Sequence, residues 1–272
     1  KAKTGKSVVV LIDEYDKPIL DALEYPEVAK ANRDFLRGFY ATIKDFDAYI
    51  RFSLLTGVSK FSKVSLFSGL NNLKDITLDR RYSTICGYTD ADIDSVFAAE
   101  LPGLDRDEIR SWYNGYHWLG EGVYNPFDIL QLFDERLFKS YWFETGTPTF
   151  LIDHLMKRQV PSIQLDNMLS SSDMLSSFDV GDITIEALLF QTGYLTIKNY
   201  RRVAGQDYYT LGYPNQEVYQ SLNHVLLQNL TQNREAQVLQ SIQLYDLLMA
   251  NDFTGLKQLF HSFFASIPHQ WY

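Results

Sequence analysis

Cysteine is nearly absent from this sequence of 272 residues, since Cys86 is the only one. A single cysteine excludes an internal disulfide framework and fits a reducing compartment. The sequence also lacks the apolar run of about 18 residues that a membrane span requires, and it shows no signal peptide. We therefore expect a cytoplasmic protein that makes no contact with a membrane.

Chemistry based on histidine or cysteine is also poorly supported. The five histidines show no metal-ligand spacing, and no second cysteine accompanies them. The sequence offers no Ser-His-Asp arrangement. Cys86 lies among apolar and small residues, which predicts a core residue rather than a nucleophile.

Charge is distributed unevenly along the chain, whose net charge is -9. Residues 1–88 carry 14 Lys and Arg against 11 Asp and Glu, whereas the remainder carries 11 against 23. A basic front favours a phosphate-bearing ligand there, although scatter among solvated side chains stays open as the alternative.

The front of the chain has the pattern of a βαβ unit. Val8–Ile12 is a continuous apolar run, which predicts a strand buried on both faces. Pro26–Asp45 has the apolar stripe of a helix, and Ile50–Leu55 is a second apolar run. Strand, helix and strand in this order predict parallel pairing. We expect an exposed apolar edge where such a sheet lacks partner strands.

Two acids follow the first predicted strand directly. An apolar run that ends in Asp13-Glu14 is the Walker B pattern of nucleotide hydrolases. At the carboxyl edge of a parallel sheet, Asp13 is placed to hold Mg²⁺ through water. Glu14 reaches further and is the candidate general base for the attacking water. The alternative, in which Asp13 only begins a turn, stays open.

Polar residues after the second strand support this interpretation. Thr56 and Ser59 lie at or just past its end, where a hydroxyl reaches a γ-phosphate or the attacking water. Plain turn chemistry is the alternative. Arg81, or its neighbour Arg80, is a candidate arginine finger, with local pairing to Asp79 as the alternative. The basic residues of this region are Arg51, Lys60, Lys63, Lys74, Arg80 and Arg81.

A phosphate-binding loop is missing from the sequence. Gly5-Lys6-Ser7 has the last three residues of such a loop, but the true motif follows a strand and opens a helix. Here the tripeptide precedes the first strand, so we interpret it as a coincidence. Because the loop supplies most phosphate contacts, we expect neither ATP nor Mg²⁺ to bind these residues alone.

Helical and hairpin signals dominate after residue 88. Thr89 and Asp92 have the spacing of a capping box, Asn125 precedes a proline as an N-cap does, and a further helix is predicted from Thr147 to Arg158. Residues 161–182 are polar and predict a linker. Beyond them, a helix, a hairpin turning at residues 201–206 and another helix resemble part of a winged helix.

Longer stretches resemble a known family. They are LIDEYDKPIL at 11–20, TGVSKFSKVSLFSGLNNL at 56–73, ICGYTDADI at 85–93, WYNGYHW at 112–118, VYNPFDIL at 123–130 and YWFETGTPTFLI at 141–152. Over roughly residues 8–215 the sequence resembles the AAA-ATPase-like family of predicted prokaryotic ATPases, which a PD-(D/E)XK nuclease-like domain often follows.

The resemblance implies a nucleotide partner and an ATPase that couples Mg²⁺-dependent ATP binding and hydrolysis to conformational switching of the attached nuclease-like domain. It gives Asp13 and Glu14 the Walker B role. It also places Asn125 and Pro126 in a lid motif near the adenine, with helix capping as the alternative. The glycine-rich loop and the nuclease residues of the family are absent, so we expect both ends to be cuts through a longer protein.

The predicted fold class is therefore α/β: part of a P-loop NTPase parallel sheet, a helical lid and a winged-helix-like module. The predicted boundaries are 1–88 for the ATPase core, 89–160 for the lid, 161–232 for the winged-helix-like module and 233–272 for a helical linker to the nuclease-like domain.

A non-catalytic role is the alternative function. The winged-helix-like region is a candidate for binding DNA or a protein, with Arg201 and Arg202 near the hairpin turn as candidate phosphate contacts. Residues 161–232 carry three Lys and Arg against seven Asp and Glu. Because DNA binding depends on neutralising phosphates, contacts with protein are favoured. A degenerate relative that uses the fold as a scaffold is a further alternative.

Overall fold

The structure is a computed structural model that describes residues 5–59, 66–67, 72–143, 151–152, 155–156, 162–176, 178–180, 182–231 and 234–266. It shows a mixed α/β protein, about half helical, whose strands form small sheets. Lys60, Lys63 and most of the helix predicted from Thr147 to Arg158 lie outside the described residues. Within the described ranges, no helix is both long and apolar enough to cross a bilayer.

The predicted βαβ unit is present at the front. Strands β1, Val8–Ile12, and β2, Ile50–Leu55, pair in parallel. Helices α1, Lys17–Leu20, and α2, Pro26–Asp45, connect them. Pro26 suits the first turn of α2, because its fixed φ is helical and its missing N–H would have no partner there. The buried residues of α2 form one stripe, as its pattern predicts; they are Ala29, Leu36, Tyr40 and Ile43.

The two-stranded sheet is covered less completely than the sequence predicts. Val9, Leu11 and Phe52 are 54%, 67% and 53% exposed, so the prediction that β1 is buried on both faces is wrong. Ile12 and Leu55 pack against the core that includes the buried stripe of α2. Among the described residues, β1 and β2 pair only with each other. The sheet therefore has exposed apolar side chains, while the expected lack of partner strands at its edge stays a prediction.

A second core forms around three short helices. These are α3, Asp90–Ser95, α4, Arg106–Tyr113, and α5, Pro126–Glu135. Strands β3, Asn114–Tyr116, and β4, Val123–Tyr124, form a small antiparallel pair between α4 and α5. The fully buried residues of this core are Ile93, Ile109, Tyr113, Tyr124, Ile129 and Leu132.

Local capping signals set the ends of these helices. Thr89 and Asp92 form the predicted capping box, in which each side chain accepts a hydrogen bond from the backbone N–H of the other residue. Arg136 is the C-cap of α5, and its φ of 61° is left-handed. The Arg136 guanidinium donates to the carbonyls of Glu100 and Pro102, and these bonds hold the chain in that turn.

The third sheet gathers strands from the last part of the chain. It contains β5, Met168–Ser171, β8, Thr196–Val203, and β9, Gln206–Gly212, in the antiparallel order β5-β9-β8. The other elements here are α6, Ser162–Leu165; α7, Ser172–Ser176; β6, Phe178–Asp179; β7, Asp182–Ile183; and α8, Ile185–Gln191. Interpreting residues 161–182 as a linker is therefore wrong, because the described part of this range forms helices and strands and β5 pairs with β9 through its backbone.

The hairpin turns more tightly than predicted. Arg201 and Arg202 continue β8, and the turn consists of Ala204 and Gly205, both with positive φ. Helices α9, Gln216–Thr231, α10, Arg234–Met249, and α11, Phe253–Ser266, follow. The predicted order of helix, hairpin and helix is present in α8, β8-β9 and α9, whereas a winged helix and the four predicted domains stay predictions.

Two acids are buried between α5 and α9. Asp128 and Glu217 are both 0% exposed. The backbone N–H of Trp142 donates to Asp128 Oδ1 and to Glu217 Oε1, each at 2.9 Å, and the N–H of Phe143 donates to Glu217 Oε1 at 3.2 Å. Burial, with the nearby charge and hydrogen bond of Glu217, raises the pKa of Asp128 to about 9. The raised pKa favours the protonated form of Asp128, and Asp128 Oδ2 and Glu217 Oε2 have no hydrogen-bond partner among the described residues.

Candidate functional site

Asp13 and Thr56 lie side by side at the carboxyl ends of the parallel strands. Pairing aligns Ile12 with Leu55, so the next residue of each strand comes to the same edge. The Thr56 hydroxyl donates to Asp13 Oδ1 at 2.5 Å. The backbone N–H of Glu14 donates to the same oxygen at 3.0 Å. The structure thus brings three predicted site residues together and holds one carboxylate oxygen with two donors.

The Thr56 hydroxyl has a partner in the protein itself, the Asp13 carboxylate. Its expected contact with a γ-phosphate or an attacking water stays a prediction. A charge-assisted bond of this kind restricts the carboxylate to one orientation. Among the hydrogen bonds of the described residues, none uses Asp13 Oδ2, and the Asp13 side chain is exposed. Thr56 therefore orients Asp13 towards solvent.

Glu14 has a strained backbone beside this pair. Its φ is 49°, in the left-handed region that residues with a Cβ seldom adopt. Such strain persists only where the surroundings enforce it. Here the Tyr15 N–H donates to the Thr56 carbonyl at 3.0 Å, and the Lys17 N–H donates to the Glu14 carbonyl at 3.0 Å. These bonds keep the exposed Glu14 side chain adjacent to Asp13.

Asp16, which the sequence reasoning missed, joins the two loops that follow the strands. Its side chain is 0% exposed. Asp16 Oδ2 accepts hydrogen bonds from the Ser59 backbone N–H and hydroxyl, each at 2.5 Å, and Oδ1 accepts from the Val58 N–H at 3.3 Å. The Tyr15 hydroxyl donates to the Ser59 carbonyl at 2.5 Å. The loops therefore form one hydrogen-bonded unit.

Ser59 is buried within the hydrogen-bonded unit that the two loops form. It is 2% exposed, and its hydroxyl is bonded to Asp16, so any contact with a nucleotide would require that bond to break. The role predicted for Ser59 as a nucleotide-binding residue stays a prediction. The signal for Asp16 was present in the sequence, because it is the third acid in Asp13-Glu14-Tyr15-Asp16.

Gly57 permits the close approach of the two loops. A Cβ at this position would lie 2.7 Å from the Tyr15 ring and closer still to Asp16 Oδ1. Atoms at such distances overlap, and both neighbours are held by hydrogen bonds. Glycine is therefore required here for steric reasons.

Arg81 forms the local pair that was the alternative to an arginine finger. Its Nη2 donates to Asp79 Oδ2 at 2.6 Å, and its Nε donates to Asp79 Oδ1 at 2.9 Å. Hydrogen bonds from Arg81, and then from Lys74, lower the pKa of Asp79 far below its usual value. Within the described residues, no contact joins Arg81 to Asp13 or Thr56.

Asn125 and Pro126 form the predicted start of α5. Asn125 Oδ1 accepts a hydrogen bond from the Phe127 N–H at 3.0 Å, as an N-cap does. The Asn125 N–H donates to the Tyr113 carbonyl at 3.4 Å, which places it beside the second core. The capping alternative is confirmed, while the lid role near an adenine stays a prediction.

The predictions on metal ligands and on Cys86 can also be compared with the described residues. In the part of the chain that the structure describes, no three His, Cys, Asp or Glu side chains are grouped as metal ligands. A magnesium ion held by Asp13 would thus complete its shell with waters and phosphate oxygens, as Mg²⁺ often does. Cys86 is exposed, so its predicted core position is wrong, because Ile85 and Cys86 lie in an exposed turn.

Fold and site together define an α/β protein with an acidic pair and a hydroxyl at the carboxyl edge of parallel strands, where such sheets bind ligands. Residues 1–67 match the AAA-ATPase-like family, described as a predicted AAA-ATPase. The match includes β1, β2 and every residue of the Asp13 site. The family resemblance predicted from the sequence is thereby confirmed.

A relative extends the comparison to the whole chain. An uncharacterized protein in the vnfD 5' region of Azotobacter chroococcum mcd 1 is 60% identical over 271 residues, which are 100% of this chain and 52% of that protein. The chain thus spans about half the length of this curated relative. No solved structure matches the chain.

Proposed function

We propose that this chain forms part of an AAA-like ATPase that hydrolyses Mg²⁺-bound ATP. The observation that carries the proposal is the 2.5 Å hydrogen bond between the Thr56 hydroxyl and Asp13 at the carboxyl edge of a parallel strand pair. The match of residues 1–67 to a predicted AAA-ATPase family supports the same assignment. In the complete protein, hydrolysis drives a conformational switch that acts on an attached nuclease-like domain.

Each residue of the Asp13 site is proposed to have a role that follows from its position. Thr56 and the Glu14 N–H hold Asp13 Oδ1, so Oδ2 is the oxygen that binds metal-bound water. Glu14 accepts a proton from the water that attacks the γ-phosphate. Asp16 and Ser59 keep the two loops together and so preserve the spacing of these groups.

ATP hydrolysis by the complete protein carrying Glu14→Gln tests the base. Glutamine has nearly the same shape but cannot accept the proton, so we expect a fall in rate of about 10²–10⁴-fold. Glu24→Gln, which neutralises another exposed acid, is the matched control and should leave the rate unchanged. Hydrolysis at the wild-type rate by Glu14→Gln would remove Glu14 from this role.

Thr56 provides a test of positioning. Thr56→Ala leaves Asp13 in place but removes one of its two donors, so the Mg²⁺ concentration for half-maximal hydrolysis should rise by about tenfold or more. Thr56→Ser retains the hydroxyl and should restore the wild-type requirement. Equal Mg²⁺ requirements in Thr56→Ala and wild type would contradict the proposed role.

A non-catalytic interaction module is the second candidate function. Exposed apolar side chains on α10 and α11 favour it, among them Leu239, Tyr245 and Phe253. Binding of DNA is less favoured, because Arg202 pairs with Asp207 at 3.6 Å and the surrounding region is acidic. Salt-dependent DNA binding that Arg201→Ala and Arg202→Ala together abolish would reverse this preference.

A further inference from the structure

A cavity of about 480 Å³ opens between the β8-β9 hairpin and the loops that precede α3 and β4. Its polar lining consists of Arg80, Ser172, Tyr200, Asp207 and Tyr209, and two leucines complete the wall. Small-molecule sites commonly have volumes of about 300–1,000 Å³ and combine apolar walls with a few polar groups. The cavity has the size and the mixed lining of such a site, and none of its residues belongs to the Asp13 site.

Arg80 gives the cavity a positive charge. Its guanidinium carbon lies 5.9 Å from the centroid of the Tyr200 ring. The salt bridges formed among the described residues do not include Arg80, because Asp79, the nearest acid in sequence, bonds Arg81 and Lys74. The two adjacent arginines therefore differ: Arg81 is held by a carboxylate, whereas Arg80 faces an aromatic ring at the cavity wall.

The acid in the cavity is already compensated. Asp207 Oδ1 accepts a hydrogen bond from the Tyr200 hydroxyl at 2.9 Å and lies 3.6 Å from Nε of Arg202. An anion next to Arg80 is thus not opposed by an isolated negative charge.

Two hydroxyls add donor capacity. The Ser172 and Tyr209 hydroxyl oxygens are 3.2 Å apart. One proton suffices for the bond between them, so the other can be donated to a ligand. Together with Arg80, the cavity offers the donors that a carboxylate or phosphate needs.

The remaining wall suits a flat apolar group. The rings of Tyr200 and Tyr209 lie 5.7 Å apart with an interplanar angle of 37°. Aromatic surfaces bind other rings favourably in offset or tilted arrangements.

We propose that this cavity binds a small aromatic molecule that carries a carboxylate or a phosphate. Arg80 and the hydroxyls of Ser172 and Tyr209 hold the anionic group, and the tyrosine rings contact the aromatic group. The site is separate from the proposed ATPase centre and does not depend on it.

Titration of the chain by NMR, with four probes, tests the proposal. Benzoate and phenyl phosphate carry both a ring and an anion, benzyl alcohol carries only the ring, and inorganic phosphate carries only the charge. We expect benzoate or phenyl phosphate to shift the resonances of Tyr200 and Tyr209 at concentrations of about 1 mM. Whichever of these two probes binds more tightly shows whether the cavity prefers a carboxylate or a phosphate. Inorganic phosphate and benzyl alcohol should bind about tenfold more weakly.

Arg80→Gln and Arg81→Gln form a matched pair of variants, since they remove the same charge from adjacent positions. Arg80→Gln should weaken binding by about tenfold or more, while Arg81→Gln should leave it unchanged. Tyr209→Phe keeps the ring and removes a donor, and should weaken binding less than Arg80→Gln does. Unchanged melting temperatures verify that the variants are folded. Equal affinities of Arg80→Gln and wild type, equal losses in both arginine variants, or no shift with any probe would overturn the proposal.

Discussion

Replacing Asp128 by asparagine is expected to stabilise the protein at alkaline pH and to have little effect at acid pH. Burial raises the pKa of Asp128 from its ordinary 3.8 to about 9 in the folded state, so folded Asp128 keeps a proton that the unfolded chain releases. The free energy of unfolding therefore falls as the pH rises from the ordinary pKa of 3.8 to the folded-state pKa of about 9. Asparagine has no proton to release, so this fall is absent from the variant.

The magnitude follows from one retained proton. A difference of one bound proton changes the free energy of unfolding by about 1.4 kcal/mol for each pH unit. Between about pH 5.5 and about pH 7.5, Asp128→Asn should gain about 3 kcal/mol relative to wild type. The asparagine oxygen can still accept from the Trp142 N–H, and its amide can donate to Glu217. The substitution therefore keeps the bond from the Trp142 N–H and leaves a donor beside Glu217.

Urea unfolding at several pH values, followed by circular dichroism, measures this gain. Asp134→Asn is the matched control, because Asp134 lies on the same helix with an exposed side chain. The two variants should diverge steadily as pH rises. Parallel pH dependences in both variants, or a loss of stability in Asp128→Asn that grows with pH, would show that Asp128 is ionised in the folded protein.

Three further results are expected. Gly57→Ala should destabilise the protein by about 1–3 kcal/mol, because the added Cβ overlaps with Tyr15 and Asp16. Gly38→Ala has open space around the site of its Cβ and should stabilise α2 by up to about 1 kcal/mol. The midpoints of urea unfolding compare the two variants. Thr89→Ala should cost about 1 kcal/mol through loss of the cap, and Thr89→Ser should recover most of it. Calorimetry of residues 1–272 should detect no ATP binding, and micromolar affinity would contradict this.

Features with a local cause were predicted well. β1, α2 and β2 follow from apolar patterns within each segment, and the capping box at Thr89 follows from a spacing of three residues. Parallel pairing also explains why Asp13 and Thr56 lie at one edge of the sheet. The hydrogen bond between their side chains was not predicted and came from the structure.

Features that depend on distant partners were not predicted. The bond between Asp16 and Ser59 spans 43 positions, and Trp142 shares its N–H between two acids that belong to different helices. β5 has two apolar residues followed by two serines and lacks the alternation typical of a strand, so its pairing with β9 could not be predicted from its own sequence. Sequence spacing carries no information on such contacts until the fold is known.

A comparison of Asp13 with Asp128 shows that burial decides whether an acid is suited to bind a cation or to support the fold. Asp13 follows an apolar run, Asp128 lies within one, and neither pattern states how much water reaches the carboxylate. Asp13 is exposed, and two donors hold one of its oxygens while the other has no partner among the described residues. Carboxylate oxygens that reach water are the ligands that Mg²⁺ prefers. Asp128 is buried beside another acid, and burial raises its pKa to about 9, so it is unsuited to hold a cation at neutral pH.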